Sequence, residues 1–188
     1  MKTLVLLGDS LTFGYGVNTS KSFAKLLENN LDLKIINKGI NGSTTTDMLV
    51  RFTRDVIKLS PSHLLILAGT NDILSNKSLD AILENIKLMI QEASENNIKV
   101  IIASPPSIQK NENSVFINVN EFDNNVLKFK DLNSLLLKTC NEKNISFIDL
   151  FSLTKDLESI FIDGVHLNEE GNIILFNELF KELKKQLN

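Results

Sequence analysis

The 188-residue chain contains no tryptophan, one cysteine and two histidines. A single cysteine cannot form a disulfide within the chain, and Cys140 falls in an apolar helical pattern with Leu136 and Leu137, so we predict a buried, unreactive thiol. The chain also lacks C-x-x-C and H-E-x-x-H spacings. With so few soft ligands available, we predict neither a metal site nor any other cofactor.

The chain lacks a strong excess of charge of one sign and any long apolar run. Its 20 basic and 23 acidic side chains give a net charge of −3, which excludes the basic surface typical of nucleic-acid binding. Lys110, Lys128 and Lys130 lie among acids and are predicted to be solvated. No apolar segment reaches the roughly 18 residues that a membrane span requires. We therefore expect a small-molecule partner, no nucleic acid and no integral membrane segment, and the sequence leaves the oligomeric state open.

The apolar run at the amino terminus is too short for a secretion signal. It stops at Gly8, whereas a signal peptide has an apolar core of roughly 7 to 15 residues. We accordingly expect a cytoplasmic protein, and the sequence leaves open whether a leader has been removed.

Strand-like and helix-like patterns alternate along the chain. Short apolar runs predict five β-strands, at 4–7, 33–37, 63–68, 99–103 and 145–150. Apolar residues spaced three and four apart predict helices at 22–30, 45–59, 79–96, 122–144 and 169–187. This alternation is typical of a parallel sheet covered by helices on both faces. We predict one domain, residues 1–188, with a three-layer α/β/α fold.

Polar loops follow four of the five predicted strands. Ser10 comes just after the first strand, and the loops 39–44, 69–72 and 163–166 follow the second, third and fifth. In an open parallel sheet, the loops after the strands meet at one side, which we call the carboxyl edge, and ligands bind there. We therefore expect these four segments to lie close together despite their distance in sequence.

Ser10 needs a neighbouring base to act as a nucleophile. His63 begins a strand at the opposite end of the sheet, which favours a structural role. His166 follows Asp163 by three residues, with Gly164 permitting a tight bend. An acid in that place can accept the Nδ1 proton and leave Nε2 facing the serine. Taken alone, the same loop would be more typical of a turn aspartate followed by a surface histidine.

Three candidate donors could stabilise an oxyanion at the same edge. They are the Ser10 N–H, the Gly42 N–H and the Asn71 side-chain amide. Gly42 and Asn71 would each be ordinary turn residues in isolation, so their joint placement carries the prediction. Gly39 competes with Gly42 for the role of backbone donor, and the mechanism is unchanged by the choice.

These segments together resemble a known family. Gly8-Asp9-Ser10-Leu11, Gly42, Gly69-Thr70-Asn71-Asp72 and Asp163-Gly164-Val165-His166, in this order, are similar to the four sequence blocks of the SGNH (GDSL-type) hydrolases. The resemblance spans almost the whole chain, and the absence of G-x-S-x-G separates it from the α/β-hydrolases.

The resemblance implies a fold and an activity. It implies a flavodoxin-like sheet of order 2-1-3-4-5, with Ser10 as nucleophile, His166 as base and Asp163 orienting the base. Ser10, Gly42 and Asn71 would form the oxyanion hole. The implied reaction is hydrolysis of carboxylic esters through an acyl-enzyme, and the family's substrates include small acyl esters, lysophospholipids, thioesters and acetylated carbohydrates. An O-acetyl carbohydrate esterase is the alternative within the family.

Other residues receive structural or secondary roles. Asp9 is expected to make a structural hydrogen bond, and Asp72 is expected to hold its own loop. The polar segment 104–120 is too long for an ordinary connection, which favours a lid or a substrate-side loop. Phenylalanine and isoleucine in 108–122 favour a small apolar acyl group.

A nucleotide- or phosphate-binding module is the alternative from a different class. Gly14 and Gly16 suggest a glycine-rich phosphate loop after the first strand. However, the sequence lacks G-x-G-x-x-G and the Walker lysine, and Asp9 at the strand end would repel an anion. We therefore favour an enzyme, and interpret the two glycines as loop geometry beside the acyl site.

Overall fold

A five-stranded parallel sheet forms the centre of the molecule. The computed structural model describes residues 2–112 and 114–187, so Met1, Asn113 and Asn188 of the expected 1–188 domain lie outside the described residues. The strands are β1 (Thr3–Gly8), β2 (Lys34–Gly39), β3 (His63–Leu67), β4 (Lys99–Ala103) and β5 (Ser146–Ile148). Their order is β2-β1-β3-β4-β5, with every pairing parallel, which confirms the predicted fold.

Helices cover both faces of this sheet. In chain order they are α1 (Ser10–Phe13), α2 (Phe23–Asn30), α3 (Thr45–Val50), α4 (Phe52–Asp55), α5 (Thr70–Leu74), α6 (Leu79–Glu95), α7 (Phe122–Lys143), α8 (Leu150–Thr154) and α9 (Glu169–Leu187). Side chains of α3, α4, α6 and α7 share one apolar core with the sheet, and those of α2 and α9 share the other. No helix among the described residues is long and apolar enough to cross a membrane.

Strand β1 is central to both cores. Val5 and Leu7 point into one core and Leu4 and Leu6 into the other, as the two-residue period of a strand requires. All four side chains are fully buried. Burying each contributes about 1.5–3 kcal/mol to stability, so the strand that leads to Ser10 is firmly held.

Some of the predicted helices and loops were wrong. The helix predicted over 45–59 is three pieces, α3, α4 and a 3-10 turn at Ile57–Leu59, because the backbone departs from helical geometry at Arg51 and Val56. The polar stretch 69–72 is not entirely a loop, since α5 begins at Thr70.

The end of the predicted fifth strand is also different. The chain pairs with β4 only as far as Ile148. Asp149 then caps α8, its carboxylate accepting the Ser152 N–H at 2.8 Å. This side-chain cap competes with strand pairing and starts a helix instead. All five strands otherwise match the predicted positions to within two residues at either end.

Candidate active site

Ser10 lies at the carboxyl edge, at the start of a single helical turn. β1 ends at Gly8, and the Asp9 carboxylate accepts the Leu11 N–H at 2.9 Å, which caps α1. The turn ends at Gly14, whose left-handed backbone reverses the chain. Ser10 is buried within this turn, with 6% of its surface exposed.

Ser10, His166 and Asp163 form a linked hydrogen-bonded chain. Ser10 Oγ lies 2.9 Å from His166 Nε2, across 156 residues of sequence. His166 Nδ1 donates to Asp163 Oδ2 at 2.7 Å. Because a carboxylate can only accept, Nδ1 carries the ring proton and Nε2 offers a lone pair to the serine hydroxyl. The structure thus brings together the three side chains that the sequence singled out.

Asp163 is oriented by its own loop. Its Oδ1 accepts the backbone N–H groups of Val165 at 3.0 Å and of His166 at 2.8 Å, while Oδ2 accepts from the imidazole. Burial favours the protonated acid, but these hydrogen bonds, led by the His166 backbone and side chain, outweigh it and lower the pKa of Asp163. The carboxylate is therefore charged at neutral pH and can stabilise an imidazolium.

Gly164 permits this loop to pass close to the segment 104–120. Its φ is +90°, and a Cβ at this position would lie 2.4 Å from the Gln109 carbonyl oxygen. At this close approach, the Gln109 N–H donates to the Gly164 carbonyl at 2.8 Å. Gln109, within this segment, is thus held against the loop that carries His166.

A small cavity opens next to the Ser10 hydroxyl. It has a volume of about 90 Å³ and is lined by Ser10, Tyr15, Asn41, Gly42, Asn71, Leu74, Phe116, Val165 and His166. Gly42 has a φ of +75° and nothing within 4 Å of where a Cβ would stand. Asn71 Nδ2 donates to the Ser43 carbonyl at 3.1 Å, which fixes the amide at the cavity wall.

The structure disfavours Gly39 as a backbone donor to the cavity. The Gly39 N–H already donates to Asn37 Oδ1 at 2.8 Å. Gly39 also packs against the backbone of Phe13 and is not among the residues that line the cavity. Gly42 is the glycine of this loop that lies at the cavity.

Two aromatic side chains at the site were missed by the sequence analysis. The Tyr15 ring lies 4.3 Å from the His166 ring and the Phe116 ring lies 4.9 Å from it, centroid to centroid. Together they leave His166 only 5% exposed. The apolar residues of 108–122 had indicated a small apolar acyl group, and Tyr15 is the chain's one tyrosine, but neither fact specifies contact with the histidine.

His63 and Cys140 lie away from the cavity. His63, at the start of β3, is buried and its Nδ1 lies 2.9 Å from Ser62 Oγ. Burial lowers the pKa of His63 and raises the pKa of the Cys140 thiol to about 11, so both are neutral at neutral pH. Among residues 2–112 and 114–187, no group of three His, Cys, Asp or Glu side chains could hold a metal ion.

The acidic neighbours of the site differ in role. Asp72 reaches beyond its own loop, because its carboxylate accepts the Thr45 N–H at 2.8 Å and the Thr45 hydroxyl at 2.7 Å, which ties α5 to α3. Asp9 is 1% exposed, and burial raises its pKa to about 7 despite the opposing hydrogen bond from Leu11. The Asp9 carboxyl group accepts the Leu11 N–H at the start of the one-turn α1, so this N–H is not available to a phosphate.

The fold and the site together define the class of protein. A hydroxyl, an imidazole and a carboxylate linked in this way at the carboxyl edge of a parallel α/β/α sandwich form the arrangement that serine hydrolases use. The model of the GDSL-like lipase/acylhydrolase family matches residues 6–173. The chain belongs to this family, as the four sequence blocks predicted.

Individual relatives agree with this family assignment. An arylesterase of Vibrio mimicus is 32% identical over 124 residues, which span 62% of this chain and 62% of the arylesterase, less than two thirds of its length. An acetylxylan esterase of Geobacillus stearothermophilus is 24% identical over 165 residues, 81% of this chain and 73% of that protein. A solved structure from Bacteroides fragilis is 30% identical, with a TM-score of 0.85, and the match covers 100% of this chain and 88% of that one.

Proposed function

We propose that the chain hydrolyses carboxylic esters through an acyl-enzyme on Ser10. The observation that carries the proposal is the unbroken hydrogen-bonded chain from Ser10 Oγ through His166 to Asp163, with distances of 2.9 and 2.7 Å. Each link has the length expected for a nucleophile, its base and the group that orients the base. Membership of the GDSL-like lipase/acylhydrolase family supports the same reaction.

In the proposed first step, Ser10 Oγ attacks the ester carbonyl carbon while His166 Nε2 takes the hydroxyl proton. The tetrahedral intermediate then collapses, and the imidazolium returns that proton to the leaving alcohol. In the second step, water attacks the acyl-enzyme and loses its proton to Nε2; the imidazolium then returns that proton to Ser10 Oγ as the bond to the acyl group breaks and the acid is released. Asp163 keeps the imidazole in the required tautomer throughout and stabilises its positive charge.

The oxyanion would be held by the donors at the cavity wall. The amide of Asn71 has two N–H groups, and the Ser43 carbonyl accepts one, leaving the other for the substrate oxygen. The backbone N–H groups of Ser10 and Gly42 complete the set. Donors fixed before the reaction stabilise developing charge without reorganisation, which is usually the largest contribution to catalysis.

The size of the cavity supports a short acyl group. At about 90 Å³ it is far below the 300–1,000 Å³ of pockets that enclose drug-sized ligands. Leu74, Phe116 and Val165 give it apolar walls suited to an acetyl or similarly small chain. A long chain of a lysophospholipid would have to lie outside it.

The test is turnover of 4-nitrophenyl esters from acetyl to dodecanoyl. We expect the highest kcat/KM at the shortest chains and background rates for Ser10→Ala. Turnover by Ser10→Ala at the wild-type rate would contradict the acyl-enzyme, and a maximum at long chains would contradict the short-acyl assignment.

An O-acetyl carbohydrate esterase is the second candidate. It is supported by the small cavity and by similarity to an acetylxylan esterase. Acetate release from acetylated xylo-oligosaccharides, measured beside 4-nitrophenyl acetate, discriminates the two. A kcat/KM higher for the sugar ester favours this second candidate, and a value far lower favours a simple esterase. Acyl-CoA thioesters belong in the same panel.

A further inference from the structure

Arg51 is a buried cation that the proposed reaction does not use. It lies between α3 and α4 with 8% of its surface exposed. Its guanidinium donates to the carbonyl oxygens of Gly8 and Lys38, each at 2.9 Å. Through these two bonds one side chain joins the carboxyl ends of β1 and β2. A third, longer contact of 3.4 Å reaches Ser43 Oγ.

Asp55 anchors this guanidinium. Its Oδ2 accepts from Arg51 at 2.9 Å, and the carboxylate is itself buried. Asp55 also accepts two hydrogen bonds of 2.9 Å from the exposed side chain of Arg54, one from Nε and one from Nη2. Lys38 Nζ lies 3.6 Å from Asp55 Oδ1. The buried charge of Asp55 would therefore keep cationic partners if Arg51 were replaced.

The groups that Arg51 binds lie beside the three proposed oxyanion donors. Gly8 is the last residue of β1 and precedes Ser10 by two residues. Ser43 directly follows Gly42, and its carbonyl oxygen accepts from the Asn71 amide. Arg51 thus contacts the segments that carry Ser10 and Gly42, and it shares Ser43 with Asn71 as a hydrogen-bond partner, Arg51 at the side-chain hydroxyl and Asn71 at the backbone carbonyl.

We propose that Arg51, anchored by Asp55, is a positioning residue that sets the spacing of the oxyanion donors. The proposal rests on the proposed esterase function. A planar guanidinium can hold two carbonyls and a carboxylate in one fixed geometry, whereas a lysine ammonium is a point charge on a flexible stem. Displacing a reacting group by about 1 Å can cost on the order of 100-fold in rate. Arg51 would therefore affect the chemical step without contacting the substrate.

The experiment compares Arg51→Met and Arg51→Lys with wild type, and uses Arg54→Met as the matched control. Arg54 binds the same carboxylate but lies on the surface. Each protein is reacted to completion with a fluorophosphonate, and the endpoint counts the folded sites. The second-order labelling rate, and kcat and KM for 4-nitrophenyl acetate, are then expressed per labelled site.

We expect Arg51→Met to lower both kcat and the labelling rate about 10- to 100-fold per site, with KM changed less than about threefold. Arg51→Lys should be intermediate, and Arg54→Met should match wild type. A role in stability alone would lower the number of labelled sites and leave the rates per site unchanged, which would overturn the proposal. Full rates in Arg51→Lys would also overturn it, because charge alone would then suffice.

The proposed function has a separate mode of failure. A wild type that neither reacts with the fluorophosphonate nor cleaves any ester overturns the esterase and the role of Arg51 together. A wild type that does both, while the Arg51 variants keep its rates, overturns only the role of Arg51.

Discussion

At the scale of single residues, Asp163 is the best test of the hydrogen-bonded chain. Asp163→Asn keeps the shape of the side chain but can donate to Nδ1, which would favour the wrong imidazole tautomer. We expect kcat to fall by about 10³- to 10⁴-fold, with KM little changed. Steady-state kinetics with 4-nitrophenyl acetate measures this, and a loss smaller than tenfold would contradict the role given to Asp163.

Asn71 tests the oxyanion hole in the same way. Asn71→Ala removes one of the three proposed donors and also the bond to the Ser43 carbonyl. The loss of one donor should lower kcat by about 10²- to 10³-fold, or roughly 3 to 4 kcal/mol of transition-state stabilisation. The Ser10 labelling endpoint serves as the control for folding. Full kcat in Asn71→Ala would remove the amide from the mechanism.

Asp9 makes stability depend on pH. Its pKa is raised to about 7 in the folded protein from an ordinary value of 3.8, chiefly by burial. Between about pH 4 and 7 the unfolded chain loses this proton while the folded chain keeps it, so the free energy of unfolding falls as pH rises, by at most about 4 kcal/mol. Asp163, whose pKa is lowered, acts in the opposite direction and below that window.

Asp9→Asn isolates this effect. Asparagine keeps an oxygen to accept the Leu11 N–H but has no charge to bury. We expect its stability relative to wild type to increase from pH 4 to pH 8, measured by urea unfolding. A difference between the two proteins that is constant over this range would show that Asp9 is not protonated in the fold.

At the scale of elements, Phe116 in the segment 104–120 forms part of the wall of the cavity beside Ser10. Phe116 is half-exposed yet its ring contacts His166, so Phe116→Ala should widen the cavity without a large loss of stability. We expect the ratio of kcat/KM for the hexanoyl over the acetyl ester to rise by about tenfold or more. Val115→Ala is the control, because Val115 is 88% exposed and does not line the cavity. An unchanged ratio in Phe116→Ala would mean that the acyl chain binds elsewhere.

The elements also show where sequence patterns succeed and fail. The strands were predictable because β3 and most of β1 are buried on both faces, so that each consists largely of consecutive apolar residues in the sequence. The helix over 45–59 was predicted unbroken because its apolar spacing persists through the interruption. At the break, the Arg51 side chain binds carbonyls of β1 and β2 that only the folded sheet brings within reach, and the sequence pattern gives no sign of these contacts.

At the scale of the whole molecule, the sheet explains why so much of the site could be predicted. Ser10, Gly42, Asn71 and His166 each follow a strand, and a parallel sheet gathers the loops after its strands at one edge. Strand order came from the family resemblance, since apolar runs alone do not specify which strands are neighbours. Tyr15, Phe116 and Arg51 were missed because their contacts depend on loop packing and carry no periodic signal.

The proposed covalent intermediate on Ser10 is tested most directly by mapping the site of a fluorophosphonate adduct. Intact-mass and peptide mass spectrometry should show one adduct per wild-type chain, located on Ser10, and none on Ser10→Ala. An adduct on another residue, or ester turnover that survives in the absence of any adduct at Ser10, would contradict the account.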